Sequence, residues 1–582
     1  MSHKYYWLIA LNIIILLALP QLSPFHYDPL PEFFAESAFA WASISIFLIT
    51  LFASKHISIP RIIIPLTLLA VFIFIQNKFV NIDYVGLSYV AGMELILCIM
   101  LAVSFSTLIE EFGIQTIINT ICVALLIGAI LQSAIGFLQY SGMYKILGNF
   151  LFYDSLHPST NIFGHFGQRN HYCHYLSWAL FGLIYLFHKN KIKLPVFLII
   201  GTWLGFSITI AASRSVFIYF ALASLISLVY FIKNRNTESR NLFLLILTAS
   251  ITLVLIESLY PIISNMFSHS SHTSSGLQRI ADSSDNGLSN RRFTEWQKAW
   301  IVFKNNPIFG YGLNEYAKQS INLQTLFPNA PLNSGLFTNC HNLILQLLAE
   351  TGLIGAFIVV FGLMYSIYAI IKYNNAECVI ILCMIFTTLS HSMVEYPLWY
   401  IYFLGPWMIF LSIDQPIFKL SSNVASGIAI IPLVCMVYLL FKASFIMHAL
   451  VGYIDAPSDK NNFVTQEQYL ENLVNNNTLW AYPAMYALDY YINIDNANTN
   501  SAMSAKKQLN YENHFSGFHP YPDNIIKQAQ LYWNMDNKEE ARRYVRLALI
   551  AYPVYKSSYL SSLKNKKYSE LAKIVSDYHY KK

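Results

Sequence analysis

Apolar residues fill most of this chain in blocks of about 20, the length a helix needs to cross the hydrocarbon core of a bilayer, separated by short polar connections. Thirteen membrane helices are predicted, at roughly 5–22, 34–54, 60–77, 87–108, 114–140, 171–188, 194–212, 214–233, 241–262, 352–371, 376–392, 398–413 and 425–448. The first block lacks a small-residue cleavage site and is followed by many more, so it reads as an anchor rather than a removed signal peptide. Two connections are long, 141–170 and 263–351. After residue 450 the pattern changes: the last 132 residues hold 28 of the chain's 68 charged side chains, and the first 450 share the other 40. The expected organisation is therefore a set of N-terminal transmembrane helices at 1–140, a second membrane region at 141–450 carrying the long loop of about 263–351, and a C-terminal helical domain at 451–582.

The tail reads as all-helical. Small and aromatic residues fall at helical spacing from Ala529 to Ala541 and on through Ala548, an Asp-Asn turn intervenes, and Pro553 closes the second helix. This resembles one tetratricopeptide-like helix pair. A single pair cannot bury its own faces, so it is expected to pack on helices predicted at 464–475 and 480–491. Such a tail is either a stabilising cap or a surface on which an acceptor docks.

Composition agrees with a membrane protein. Charged residues make up 12% of the chain, against roughly 25% in soluble domains. The net charge of +6 is no signal for nucleic acid, because the basic residues sit between apolar blocks where topology explains them. With the N-terminus in the cytoplasm, eleven Lys/Arg (Lys4, Lys55, Arg61, Lys189, Lys191, Lys193, Lys233, Arg235, Arg240, Lys372 and Lys419) lie inside. Four (Lys78, Lys145, Arg169 and Arg214) lie in outer connections, as the positive-inside rule requires. Both long loops and the tail then lie outside. The seven cysteines are scattered without a CxxC pair, which indicates neither zinc nor a disulfide framework.

Polar residues of unusual type gather in the outer connections, where ionisable groups at a membrane boundary point to function. They are Phe163 to His171, Ala212-Ser-Arg-Ser215, Ser289 to Trp296 followed by Asn306 to Gly312, Thr338 to Gly352, and His391 to Tyr400. Arg169, Arg214, Arg291 and Arg292 offer fixed positive charge with no nearby carboxylates expected to use all of it up. Their guanidinium forks match phosphate oxygens and would stabilise a departing diphosphate. His341, at a helix start, has the intrinsic pKa of a base for a hydroxyl proton. Gln168, Asn170, Asn342, Glu395, Tyr396 and Tyr400 are candidate orienters. Each has a plainer alternative: a snorkelling Arg214, solvated Arg291 and Arg292, a capping His341, and an aromatic belt for Tyr396, Trp399 and Tyr400. His165, His171 and His174 lack supporting Cys or carboxylate ligands, so no metal is expected. No GxxxxGK[ST] loop and no DxD occur, which argues against an ATP-driven pump and against a nucleotide-sugar donor.

Phe-Gly-Gln-Arg-Asn-His at 166–171, Ser-Arg-Ser at 213–215, Asn-Pro-Ile-Phe-Gly-Tyr-Gly at 306–312 and His-Asn-Leu-Ile-Leu-Gln-Leu-Leu-Ala-Glu-Thr-Gly at 341–352 resemble, in order and spacing, the Wzy/O-antigen-ligase superfamily. Gln-Arg-Asn-His, Val-Glu-Tyr-Pro-Leu-Trp-Tyr at 394–400 and the helical tail look like its protein O-oligosaccharyltransferase (PglL-type) branch. The resemblance runs from about residue 140 onward and makes 141–450 the catalytic membrane domain. It implies an all-α, GT-C-type polytopic bundle of about 12–13 spans in the bacterial inner membrane, metal-independent and without cofactor. The donor would be an undecaprenyl-diphosphate-linked oligosaccharide at the periplasmic face, and the acceptor a pilin or other periplasmic protein. In the resemblance His341 matches the essential loop histidine, Arg214 the arginine at the diphosphate, and Arg291 its assistant. Gln168 and either Tyr396 or Tyr400 match residues tied to activity. An O-antigen ligase acting on lipid A core, a Wzy-type polymerase and a transporter of lipid-linked sugars are the rival readings; a transporter predicts charged residues at mid-membrane on broken helices instead.

Overall fold

The computed structural model of the chain describes residues 3–267, 286–332, 335–492, 494, 501 and 503–579. The Ser/Thr run at 268–275, with His269 and His272, lies outside these residues. A helix stands at each of the thirteen predicted positions. Eight are long and apolar enough to cross a membrane, and four are shorter apolar helices (Tyr5–Ala18, Ile63–Gln76, Ala376–Ser392 and Ile401–Leu411). The protein is thus a multi-pass helical membrane protein.

The thirteenth, Arg169–His188, is less apolar than the others because it is the centre of the bundle. Every residue from His171 to Leu186 is buried. Its polar groups are satisfied by surrounding helices instead of water: the Tyr175 hydroxyl donates to the Leu17 carbonyl (2.7 Å) and the Trp178 indole to that of Met384 (3.0 Å). The strand pair is short, His56–Ile59 antiparallel to Phe418–Ser421. It joins two connections that the charge pattern assigns to the inner side. The same end of the bundle holds the Arg61–Asp414 (3.6 Å), Lys189–Glu377 (3.1 Å) and Lys419–Glu110 ion pairs.

At the opposite end, the helix predicted at 352–371 begins nine residues earlier. The helix Leu343–Tyr373 is broken at Gly352, whose φ of +64° is open to glycine and costly for other residues. The break exposes main-chain groups, and the 306–312 segment satisfies them. Tyr311 N–H donates to Ala349 (3.0 Å), Gly312 N–H to Glu350 (2.9 Å), and Leu353 N–H to Pro307 (2.8 Å). A Cβ on Gly352 would stand 2.3 Å from the Ile308 carbonyl oxygen, so the strap and the break fit only without one. Gln76, fully buried, adds its carboxamide to the Phe309 and Glu350 carbonyls (2.8 and 2.7 Å). The Asn-Pro-Ile-Phe-Gly-Tyr-Gly motif is therefore a brace for the short helix that follows His341.

In the tail, Pro522–Asn534 and Lys538–Ala551 form a packed pair across a tight turn. The partners differ from those expected. Lys460–Asn476 and Ala481–Leu488 pack mainly on the end of the last membrane helix, in a core with Ile446, Met447 and Leu450. They touch the pair through Leu531, which shares that core, and through Asp489 just past the second helix, which binds Lys527 (2.5 Å) and Asn524 (3.2 Å). The pair buries its main face against Tyr559, Leu571 and Val575, and against Ile321 and Leu332 of the long loop. Residues 556–577 supply a nearer apolar surface that was not assigned a helix from the sequence.

Candidate active site

The outer connections converge on one carboxylate. The Ala376–Ser392 helix ends with Glu395 N–H on the His391 carbonyl (2.8 Å), which turns the Glu395 side chain inward before Pro397 starts the next turn. Glu395 is 4% exposed. Gln168, at the cap of the central helix, donates Nε2 to Glu395 Oε2 (3.1 Å), and Asn170 donates Nδ2 to Oε1 (3.1 Å). Arg292 Nη2 stands 2.6 Å from Oε1, and His341 Nε2 is 3.5 Å from Oε2. Asn170 in turn accepts from Ser213 Oγ (2.8 Å). That bond ties in the hairpin on which Arg214 heads the Ser215–Asn234 helix, a turn made tight by Ala212 at φ +55°. Arg214 and His341, 127 residues apart in sequence, therefore lie at the same end of the bundle, joined through Ser213, Asn170 and Glu395.

The loop before the broken helix fixes His341. Its backbone is left-handed (φ +56°), a conformation costly for a non-glycine residue and held here by its neighbours. Cys340 N–H is bound by the Gln346 side chain (2.7 Å), and Asn342 Oδ1 caps Leu345 N–H (3.1 Å). Nδ1 lies 2.9 Å from the Asn339 carbonyl, which can only accept. The proton is therefore assigned to Nδ1, and Nε2 presents a lone pair toward the space beside Glu395. Burial pushes the imidazole below its usual pKa; Glu395 opposes that shift, Arg292 reinforces it, and the Asn339 carbonyl opposes it again. The ring is packed edge-on between Phe337 (5.0 Å) and Tyr396 (5.2 Å).

The other sequence candidates sort by distance from this centre. Tyr396 touches His341, and burial, with Glu395 adding, pushes its phenol up to about 12. Tyr400 lies one ring deeper, on His171 (5.1 Å). Asn342 is a helix cap. Arg169 turns away, its guanidinium on Asn161 Oδ1 (2.7 Å). Arg291 is bound to the Leu332 carbonyl and lies over the Phe337 ring (4.9 Å), so its neighbour Arg292 takes the place beside Glu395. Both arginines border the buried stripe of Glu295, Lys298, Ala299 and Val302, so helical period alone does not choose between them. Of the four arginines, Arg292 is paired with a carboxylate, Glu395, which also takes hydrogen bonds from Gln168 and Asn170. His171 and His174 point into the bundle, where His174 Nδ1 meets His391 Nδ1 at 2.9 Å. Ser213 and Phe337 were not singled out individually from the sequence; a hydroxyl next to Arg214 and an aromatic four residues before His341 were the available signals.

Beside the site opens an apolar cavity of about 600 Å³. Leu343, Leu347, Trp399 and Tyr400 line it near His341, and Leu69, Ile73, Val90 and Leu97 line it among the membrane helices. An apolar chain fits such a space.

Residues 179–360 match the O-antigen ligase family, residues 162–187 the protein glycosylation ligase family, and residues 378–563 the family of C-terminal regions of virulence factor membrane-bound polymerases. The chain is 25% identical over 466 residues, 75% of its length and 77% of the relative's, to a general O-oligosaccharyltransferase of Acinetobacter baylyi. It is 27% identical over 265 residues, 45% of each protein, to a ComP-specific O-oligosaccharyltransferase of the same organism. The shortest of the three family matches, 162–187, covers Gln168 and Asn170, two of the donors to Glu395. These findings make the chain a membrane glycosyltransferase similar to the O-antigen ligase superfamily and, within it, to protein O-oligosaccharyltransferases of the PglL type.

Proposed function

We propose that this enzyme moves an oligosaccharide en bloc from undecaprenyl diphosphate to a Ser or Thr hydroxyl of a pilin or other periplasmic protein, at the periplasmic face of the inner membrane. The observation that carries the reading is His341: Nδ1 is engaged by the Asn339 carbonyl, and Nε2 faces the Glu395 cluster beside an apolar cavity. The acceptor hydroxyl gives its proton to Nε2 as its oxygen bonds to the anomeric carbon. The bond from that carbon to the diphosphate oxygen breaks, and the electron pair leaves with the diphosphate. One direct displacement inverts the anomeric carbon. Glu395, with its two oxygens fixed by Gln168, Asn170 and Arg292, stabilises the imidazolium that forms. Arg214 and Arg292 face the charge growing on the leaving group, and the lipid tail occupies the cavity. The inner-membrane orientation is supported by the loop charges, with the Glu395 end outside.

The test is co-expression with a lipid-linked glycan pathway and candidate acceptor proteins, read by intact-protein mass. A glycan mass on Ser or Thr supports the reading. Glycan appearing only on lipid A core or only as longer lipid-linked polymer overturns it.

A further inference from the structure

The cavity approaches His341 past Tyr400 and Leu343 and meets the tail at Leu479, Trp480 and Pro483, whereas the loop in front of His341 leads to the last helices of the tail, around Ala551. Leu332 N–H donates to the Ala551 carbonyl (2.7 Å), and Phe337 packs on the core of those helices while its ring also touches His341. Two turns of the tail are tied together there, since the Tyr552 hydroxyl donates to the Pro520 carbonyl (3.0 Å). These turns carry Tyr521 and Tyr555, both part-exposed. Tyr521 is stacked on His519 (4.3 Å), and Tyr555 and Phe337 pack on one apolar core of these helices. A rim of aromatic rings thus extends from His341 onto the tail.

We propose that Phe337, Tyr521 and Tyr555 form a stacking subsite for the donor's sugars beyond the first one, an inference that rests on the function proposed above. The anomeric carbon must sit at His341 and the prenyl chain in the cavity, so the rest of the glycan leaves by another side, and the aromatic rim borders one. Sugar rings present flat C–H faces that pack on aromatic faces without requiring charge. Arg291, beside Phe337, is engaged by the Leu332 carbonyl and the Phe337 ring. The rim therefore suits a neutral glycan better than a charged segment of acceptor.

Full-length enzyme in proteoliposomes is supplied with one acceptor protein and two donors, one carrying the full oligosaccharide and one carrying only its first sugar. In Tyr521→Ala/Tyr555→Ala, full-glycan transfer falls roughly three- to tenfold per ring lost while first-sugar transfer stays within about twofold; Tyr521→Phe/Tyr555→Phe restores the preference. Tyr521→Leu, which keeps apolar volume without a ring, gives the same selective loss should the double variant fail to fold. Equal losses on both donors, or a raised KM for acceptor with donor preference unchanged, overturn the subsite. Wild-type enzyme that transfers neither donor strikes at the proposed function itself and removes the subsite with it.

Discussion

The two ends of the membrane bundle differ in how they handle charge. At one end cations and carboxylates meet mainly in small pairs: Arg61 with Asp414, Lys419 with Glu110, and Lys189 with Glu377 and Glu238. At the other, Lys298–Glu295 and Lys318–Asp83 are also pairs, but the carboxylate of Glu395 takes contacts from Gln168, Asn170, Arg292 and His341 together. Pairing neutralises charge and pins helices. One acid among many donors leaves the surroundings able to receive further negative charge, which suits a departing diphosphate. Function is therefore expected to be sensitive at the second end and tolerant at the first.

The largest effect is predicted for His341→Ala. Removing a positioned base lowers a rate by about 10²- to 10⁴-fold. Glycan transfer measured by intact mass should fall in that range while detergent-solubilised protein keeps its thermal unfolding profile. Full transfer by this variant would remove the base from the mechanism.

Glu395 and Arg292 give a second prediction with a sign. His341 must be neutral to accept a proton, so transfer falls as pH drops through the imidazole's pKa, which burial holds below its usual value. Glu395 raises that pKa and Arg292 lowers it. Glu395→Gln should therefore move the acid limb of the pH–rate profile to lower pH and Arg292→Met should move it higher. Glu395→Gln should also cost about a hundredfold in rate, through loss of the charge that stabilises the imidazolium. Acid limbs that stay in place in both variants would mean that neither group communicates with His341.

A smaller effect separates the two tyrosines. Tyr396 touches His341, and Tyr400 sits behind it on His171. Tyr396→Phe should lower kcat by roughly tenfold, about the worth of one hydrogen bond to a charged group. Tyr400→Phe should change it by no more than about twofold. The reverse order would place the reacting groups one ring deeper than His341.

Much of this was legible in the sequence. The thirteen apolar blocks each became a helix, because in lipid a run of that length has no other way to satisfy its backbone. The site motifs could be grouped because boundary polar residues are costly and therefore few. What period and composition do not encode is which neighbour faces inward. Arg291 and Arg292 differ by one position, and only the tertiary placement of Phe337 and Leu332 decides that Arg291 is drawn away. The 306–312 motif was legible as a motif but not as a brace, since its partner is the break at Gly352, forty residues on. Arg169 was similarly ambiguous: its neighbours Gln168 and Asn170 reach Glu395, while helix geometry swings Arg169 toward Asn161.

The smallest predicted effect tests the tolerant end. Lys419 and Glu110 pair beside the short strand ladder, and both side chains are substantially open to solvent, 48% and 36% exposed. In water such a pair gains little, because screening weakens the attraction and two long side chains lose freedom in making it; its worth is about 0–1 kcal/mol. The ladder beneath rests on backbone bonds between His56–Ile59 and Phe418–Ser421, which Lys419→Ala leaves in place. This variant should therefore keep transfer within about twofold of wild type and shift thermal unfolding by a few degrees at most. A loss of transfer approaching that of Glu395→Gln would mean that the paired end is coupled to the reaction and that the contrast between the two ends is not functional.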